Sequence, residues 1–259
     1  MKEKLTSKNQ SVEKTFYMIE IMSQSSGAMR LQDIAAKAGY PPSTALRMLN
    51  TLMTMGYVRQ DPDSLRYYLS MKFSRIGDLI KSQYSLRDMI HPYLVELAQR
   101  CGESSCLAIE EDKTVVYIDV VNGPDNMLKT LQRIGKSAPM HSTGVGKLLL
   151  LNYSDDQLVT LAKTKGLDPL TAKTITSLDD LSAELSRVRE QGYALDDEEC
   201  EIGARCIAAP IQDQNGYVIA GISISGPAAR LTREQADICK DIVIEIARRA
   251  SRELGFSDR

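Results

Sequence analysis

Residues 11–25 place apolar side chains at Val12, Phe16, Ile19, Ile21 and Met22. This is the three-and-four spacing of an amphipathic helix, and Phe16 and Ile19 are expected to face a core. Gly27 ends that pattern. In LQDIAAKAG the stripe returns at Leu31, Ile34, Ala35 and Ala38, and Gly39 supplies a stop. Gly39-Tyr40-Pro41 then leads into PPSTALRMLNTL, residues 41–52. Pro42 disfavours helical geometry at Pro41 but is tolerated in a first turn, where its missing N–H has no partner to lose. The prolines therefore fix where a third helix begins. At about 100° per residue, Ser43, Thr44, Arg47, Asn50, Thr51 and Thr54 share an arc of roughly 120°. Ala45, Leu46, Met48, Leu49, Leu52, Met53 and Met55 take the remainder.

The polar arc holds hydroxyls, one amide and one guanidinium, with no carboxylate. Such a surface can donate to phosphates and read base edges, Arg47 suiting guanine and Asn50 adenine. A solvated amphipathic helix would look the same in isolation, so the neighbours decide. Two helices joined by a tight Gly-containing turn make a helix-turn-helix, whose second helix enters the major groove. After Gly56, strands at 57–60 and 66–69 flank a polar turn at 61–64. That is a wing, on which Arg59 and Arg66 are placed to meet phosphates. The pattern predicts a winged helix-turn-helix that presents Ser43, Thr44, Arg47 and Asn50 to double-stranded DNA.

Charge supports the same division. Residues 1–82 carry twelve Lys and Arg against seven Asp and Glu, and the remainder twenty against twenty-seven, a split hidden by the net charge of −2. Only the front is suited to a polyanion. MKEKLTSKNQ lacks the apolar run of a signal peptide, and no stretch has the length of a membrane span. Cys101, Cys106, Cys200, Cys206 and Cys239 are scattered without a CxxC pair and read as reduced thiols of a cytoplasmic protein. His91 and His141, the two histidines, argue against a His-built metal site.

SVEKTFYMIEIMSQ, LQDIAAKAG, STALRMLNTLMTMGYV and RYYLS resemble the amino-terminal domain of the IclR family of bacterial transcriptional regulators. Two positions depart from the family pattern. Pro42 stands where members often carry Lys, and Arg30 where many have a small hydroxyl residue capping the preceding helix.

In residues 71–83, Phe73, Ile76, Leu79 and Ile80 recur at helical spacing. This reads as a linker helix, which in a two-domain regulator can also pair subunits, or as an ordinary helix packed on its own domain. Another helix follows at 86–100. From Ser104 the pattern becomes strand-rich. SSCLAIEED and TVVYIDVVN flank a turn at 111–113, and MLKTLQRIG is a candidate third strand. MHSTGVGKLLLL passes from a Gly-containing loop into a helix, and 155–190 reads as small helices. ALDDE, CIAAPIQD and YVIAGISIS are strands, the last two joined by an Asn215-Gly216 hairpin signal. A final helix at 232–254 ends at Gly255. Strands flanked by helices predict an α+β domain with an antiparallel sheet. The expected organisation is a DNA-binding domain at 1–70, a linker helix at 71–83 and an effector-binding domain at 84–259.

PMHSTGVGK (139–147) and GYALDDEECEIGARCIAAPIQDQNGYVIAGISISGP (192–227) are similar to the two signature regions of the family's GAF-like effector-binding domain. Gly144 stands where the family commonly has Ala. A sensor of small anions needs converging donors in a partly closed, mostly apolar pocket. Residues 142–146 open a helix, where free N–H groups and the dipole favour a carboxylate and Gly permits close approach. Ser223 and Ser225, two apart on a strand, project from one face while Ile222 and Ile224 project from the other. The resemblance points to the same group: Gly144 and Val145 in the loop, Asp196 as acceptor for effector hydroxyls, Cys206 on the wall, and both serines. Arg133 is a candidate partner for a second acid group.

The resemblance implies a ligand-responsive regulator of a catabolic operon, more often a repressor, that senses a small carboxylic or sugar acid. It would bind a near-palindromic operator as a homodimer or tetramer, without cofactor, metal or catalysis. Two other readings compete. In one, Cys206 is a nucleophile with His141 as base. In the other, Cys206, His141 and Asp196 sense a metal ion.

Overall fold

A computed structural model describes residues 9–83, 85–124 and 134–257. The chain divides into two compact units, Met1–Ser85 and Leu86–Arg259. No helix among the described residues is long and apolar enough to cross a membrane.

The first unit opens with α1 (Gln10–Ser23), α2 (Leu31–Ala38) and α3 (Pro42–Thr54). Asn9 caps α1 by accepting from the Ser11 and Val12 N–H groups. The seam that α1 buries runs through Met18 and Met22, with Ile19 beside it, whereas Phe16 is 60% exposed. The expectation that Phe16 faces the core is therefore corrected. Val12–Phe16 and Met18–Met22 are two competing stripes on one helix, and the second faces Ile34, Leu49 and Leu52 in the core.

Gly39 terminates α2 in the left-handed conformation, at φ +70°. Arg30 precedes α2 without a side-chain cap, and Pro42 is the first residue of α3. Ala45, Leu49 and Leu52 bury one side of α3, while Leu46 and Met55, expected on the apolar side, are exposed. β1 (Val58–Gln60) and β2 (Tyr67–Leu69) pair antiparallel, with Val58 opposite Leu69. Asp61 holds the turn between them, accepting from the N–H and hydroxyl of Ser64. α4 (Lys72–Gln83) follows, and Lys72 Nζ donates to the Met55 carbonyl at 2.8 Å.

The second unit is built on a six-stranded antiparallel sheet. Its strands are β3 (Ser104–Glu111), β4 (Thr114–Val121), β5 (Ser137–Ala138), β6 (Ala194–Asp197), β7 (Ala204–Gln212) and β8 (Val218–Pro227), in the order β5-β4-β3-β8-β7-β6. The expected third strand, MLKTLQRIG, and Arg133 fall mostly or wholly in 125–133, outside the described residues. Asp112 and Lys113, both at positive φ, turn β3 into β4. Asp213 caps the β7–β8 turn, accepting from the Asn215 and Tyr217 N–H groups, while Gly216 takes φ +80°.

Strand alternation gives the sheet two apolar faces. On one, Leu107, Ile207, Ile222 and Ile224 pack under α5 (Leu86–Cys101) and α9 (Arg233–Glu253), with Leu94, Leu97, Val243 and Ile246 fully buried between them. On the other, Ala108, Val115 and Ala208 meet α6 (Gly144–Leu149), α7 (Asp155–Lys165) and α8 (Leu178–Gln191) through Leu148, Leu158, Leu181 and Leu185. Each such aliphatic side chain contributes roughly 1.5–3 kcal/mol of burial, so the sheet position is strongly determined.

Candidate functional site

Ser43, Arg47 and Asn50 lie exposed along one side of α3, with Thr44 half-buried at the margin, opposite the buried Ala45 and Leu49. The hydroxyls of Thr51 and Thr54 donate back to the Arg47 and Asn50 carbonyls, each at 3.0 Å. Those two threonines are engaged by their own helix, so its outward chemistry comes from the guanidinium, the amide and Ser43. Arg59 on β1 and Arg66 just before β2 are also exposed. The unit thus carries a carboxylate-free helix face and, on its wing, two further cations.

In the second unit, register brings distant segments together. Asp196 pairs with Cys206, Cys206 with Ser225, and Ser225 with Ser104, a row across β6, β7, β8 and β3. One step along, Ser223 sits between Ala208 and Cys106. Opposed residues on neighbouring antiparallel strands share a face. Asp196, Cys206, Ser223 and Ser225 therefore line one cavity of about 550 Å³, joined by Thr143 and Val145 from above. Tyr117 and Cys200 complete the wall, and exposed Lys136, Glu201 and Ile202 stand at its mouth.

Gly144 does not line the cavity. A Cβ there would point at the sheet, 3.2 Å from the Ala208 Cβ and 3.4 Å from the Ala194 carbonyl oxygen. Gly146 is required for a similar internal reason. Its Cβ would lie 2.2 Å from the Met140 carbonyl oxygen, so this glycine serves the approach of the chain's own backbone. Thr143 caps the six-residue α6 by accepting from the Gly146 N–H, which takes one of the first-turn donors.

Burial sets the electrostatics. Asp196 Oδ1 accepts from the Glu199 and Cys200 N–H groups at 2.8 and 3.2 Å, yet desolvation still pushes its carboxyl up to about 7. At neutral pH it is poised to donate as well as accept. Burial also pushes Cys106 up to about 12, eased by Ser223 at 2.9 Å, and Cys200 up to about 11. The Cys206 thiol is raised well above its ordinary range by burial, so it is a neutral wall group. His141 is outside the cavity lining and meets the Asp168 carbonyl at 3.2 Å, with its imidazole held below the usual range by burial. Among the described residues no three His, Cys, Asp or Glu are grouped to hold a metal ion.

Sequence reasoning missed Tyr117, Cys106 and Cys200, and it missed Lys147. This lysine, on α6, is completely buried and donates to Glu199 at 2.5 Å, Glu184 at 3.3 Å and the Leu195 carbonyl at 2.8 Å. It anchors the segment after β6 that supplies Cys200, Glu201 and Ile202 to the cavity. The available signal was a single cation embedded in the apolar run VGKLLLL.

The family model for the IclR helix-turn-helix domain matches residues 11–62, and that for the bacterial transcriptional regulator IclR C-terminal domain matches 80–252. The chain belongs to the IclR family of bacterial transcriptional regulators. Over 252 residues it is 32% identical to the transcriptional repressor IclR of Escherichia coli, covering 96% of this chain and 92% of that protein. It is 31% identical over 253 residues to the acetate operon repressor of Salmonella typhimurium, covering 97% and 92%. The crystal structure of the Thermotoga maritima IclR superposes with a TM-score of 0.63 at 33% identity, covering 95% of this chain and 99% of that one. The IclR family consists of DNA-binding regulators rather than enzymes, so this chain is a transcription regulator and the cysteine-nucleophile reading is set aside.

Proposed function

We propose that this regulator represses a catabolic operon and releases its operator when a small carboxylic or sugar acid enters the cavity beneath α6. The observation that carries this reading is the convergence of Asp196, Cys206, Ser223 and Ser225 from three strands on one partly open cavity with a mixed polar and apolar lining. Ser223 and Ser225 donate to the effector, Asp196 meets its hydroxyls, and the Thr143–Val145 turn covers it. Gly144 contributes by letting that turn lie close against the sheet. On DNA, Arg47 and Asn50 read base edges in the major groove, Ser43 and Thr44 fix the helix on phosphates, and Arg59 and Arg66 hold the flanking backbone. A homodimer or tetramer matches the two-fold symmetry of a near-palindromic operator, and the protein works in the cytoplasm, where that DNA resides.

The test is a thermal-shift screen of organic acids and sugar acids, since a ligand that binds the native state alone raises its melting temperature. A hit should disappear in the Ser223→Ala/Ser225→Ala double variant while operator binding persists. A hit that survives that variant unchanged removes the serines from the site.

A further inference from the structure

The effector cavity is unequal in charge from one side to the other. Val116 of β4 pairs with Ser137 of β5, and the pairing continues past the end of β5. The Tyr117 N–H donates to the Lys136 carbonyl at 3.1 Å, and the Tyr117 carbonyl accepts from the Gly135 N–H at 2.8 Å. Lys136 is thereby held beside Tyr117 at one edge of the sheet, and both line the cavity. Asp196 comes from β6, the strand at the opposite edge, and Ser223 and Ser225 stand between them on β8.

Among the described residues Lys136 is the only cation on this lining, and no described carboxylate forms an ion pair with it. Its charge partly offsets the rise that burial imposes on the Cys200 thiol, so it acts into the cavity as well as toward solvent. The cation that acts on Asp196 is instead Lys147, which is buried outside the lining. A ligand carboxylate brought to Asp196, which is 6% exposed, would lose its water beside a group that itself ionises, with no cation on the wall to compensate. At Lys136 the same carboxylate keeps part of its hydration and gains an opposite charge.

We propose that the cavity takes a hydroxy monoacid in one direction, its carboxylate on the Lys136 ammonium and its hydroxyl-bearing tail across the β8 serines to Asp196, and that it rejects the matching diacid. This rests on the reading that an acid enters the cavity at all, and adds which acids and which way round. The cavity, of about 550 Å³, has room for a chain of sugar-acid length. A diacid would have to place its second carboxylate at the Asp196 end, where nothing neutralises it. Glu201, exposed at the same mouth, works against Lys136, and the two act on the Cys200 thiol in opposite senses. Lys136 is thus the residue that sets specificity for one carboxylate, with Glu201 moderating its strength.

The experiment is titration calorimetry of the full-length protein with two matched pairs, glycerate against tartronate and gluconate against glucarate. At least one monoacid should bind, on the order of tenfold or more tighter than its diacid, given the repulsion between close like charges. Lys136→Gln should weaken that monoacid roughly tenfold, the effect of a charge-assisted bond reduced by its exposure, and Lys136→Arg should restore it. Glu201→Gln should tighten it, and Asp196→Asn should narrow the gap between monoacid and diacid. Lys136 is exposed, so its variants should melt as wild type does without ligand, and they carry the test even if Asp196→Asn fails to fold. A diacid that binds as tightly as its monoacid, or a Lys136→Gln protein that binds the monoacid as wild type does, would overturn this orientation while leaving entry of an acid intact. If none of the four acids binds, the proposal falls, and the broader thermal-shift screen decides whether acid entry falls with it.

Discussion

Replacing Lys147 with Met keeps most of the side-chain volume and removes the buried charge. Two carboxylates face that ammonium, but they are not equally dependent on it. Glu184 keeps a second partner, Arg187, at 3.0 Å, whereas among the described residues Glu199 keeps no charged partner and its buried Oε2 has no hydrogen bond. Breaking a buried pair by removing one member costs about 3–5 kcal/mol, because the other charge is left uncompensated. We expect Lys147→Met to destabilise the second unit by that amount at neutral pH. The chain contains no tryptophan, so the assay is urea unfolding followed by far-ultraviolet circular dichroism.

The loss should depend on pH with a definite sign. Burial already raises Glu199 above its ordinary value, and losing Lys147 raises it further. A carboxyl with a raised folded pKa contributes full stability below its unfolded pKa and loses it as pH climbs through the folded one, by roughly 1.4 kcal/mol per unit. The gap between variant and wild type should be narrow near pH 5 and wide near pH 8. Adding Glu199→Gln should recover most of the loss. If Lys147→Met unfolds within about 1 kcal/mol of wild type at pH 8, less than the cost of an uncompensated buried charge, then Lys147 is not compensating that cluster.

Asp196→Asn keeps the oxygen that accepts from Glu199 and Cys200 but cannot ionise. Because the Asp196 pKa is raised from 3.8 to about 7, wild type should lose stability relative to this variant as pH rises from 4 to 7, with no further divergence above, as thermal melts across that range would reveal. Phe16→Ala should shift stability by no more than about 0.5 kcal/mol, as for an exposed side chain. Met18→Ala on the same helix should cost roughly 2–5 kcal/mol. Equal costs in urea titrations would mean that the α1 seam is misassigned.

Most of the first unit was legible because local chemistry dictates it. Pro42 marks the start of α3, Gly39 the end of α2, and the absence of carboxylates the outward face. Phe16 was misread because periodicity identifies stripes without saying which one a tertiary partner will cover. In the second unit β3, β4, β6, β7 and β8 and the Asn215-Gly216 turn were readable, but not the two-residue β5, nor the pairing of Asp196 with Cys206 or of Ser223 with Cys106. Register is a property of two segments, and neither sequence contains the other's position. Lys147 was missed for a related reason: its carboxylates arrive from α8 and the segment after β6, 37 and 52 residues away.

The central claim is that the exposed side of α3 reads DNA sequence. Its most direct test is selection of duplexes from a random library by the full-length protein, followed by binding of the enriched duplex to wild type, Arg47→Ala and Asn50→Ala at fixed salt. The account predicts enrichment of a two-fold symmetric site and a loss of roughly 1–3 kcal/mol per half-site contact in each variant, with discrimination relaxed at one base position. No enriched site, or variants that bind the enriched duplex as tightly and as selectively as wild type, would contradict it.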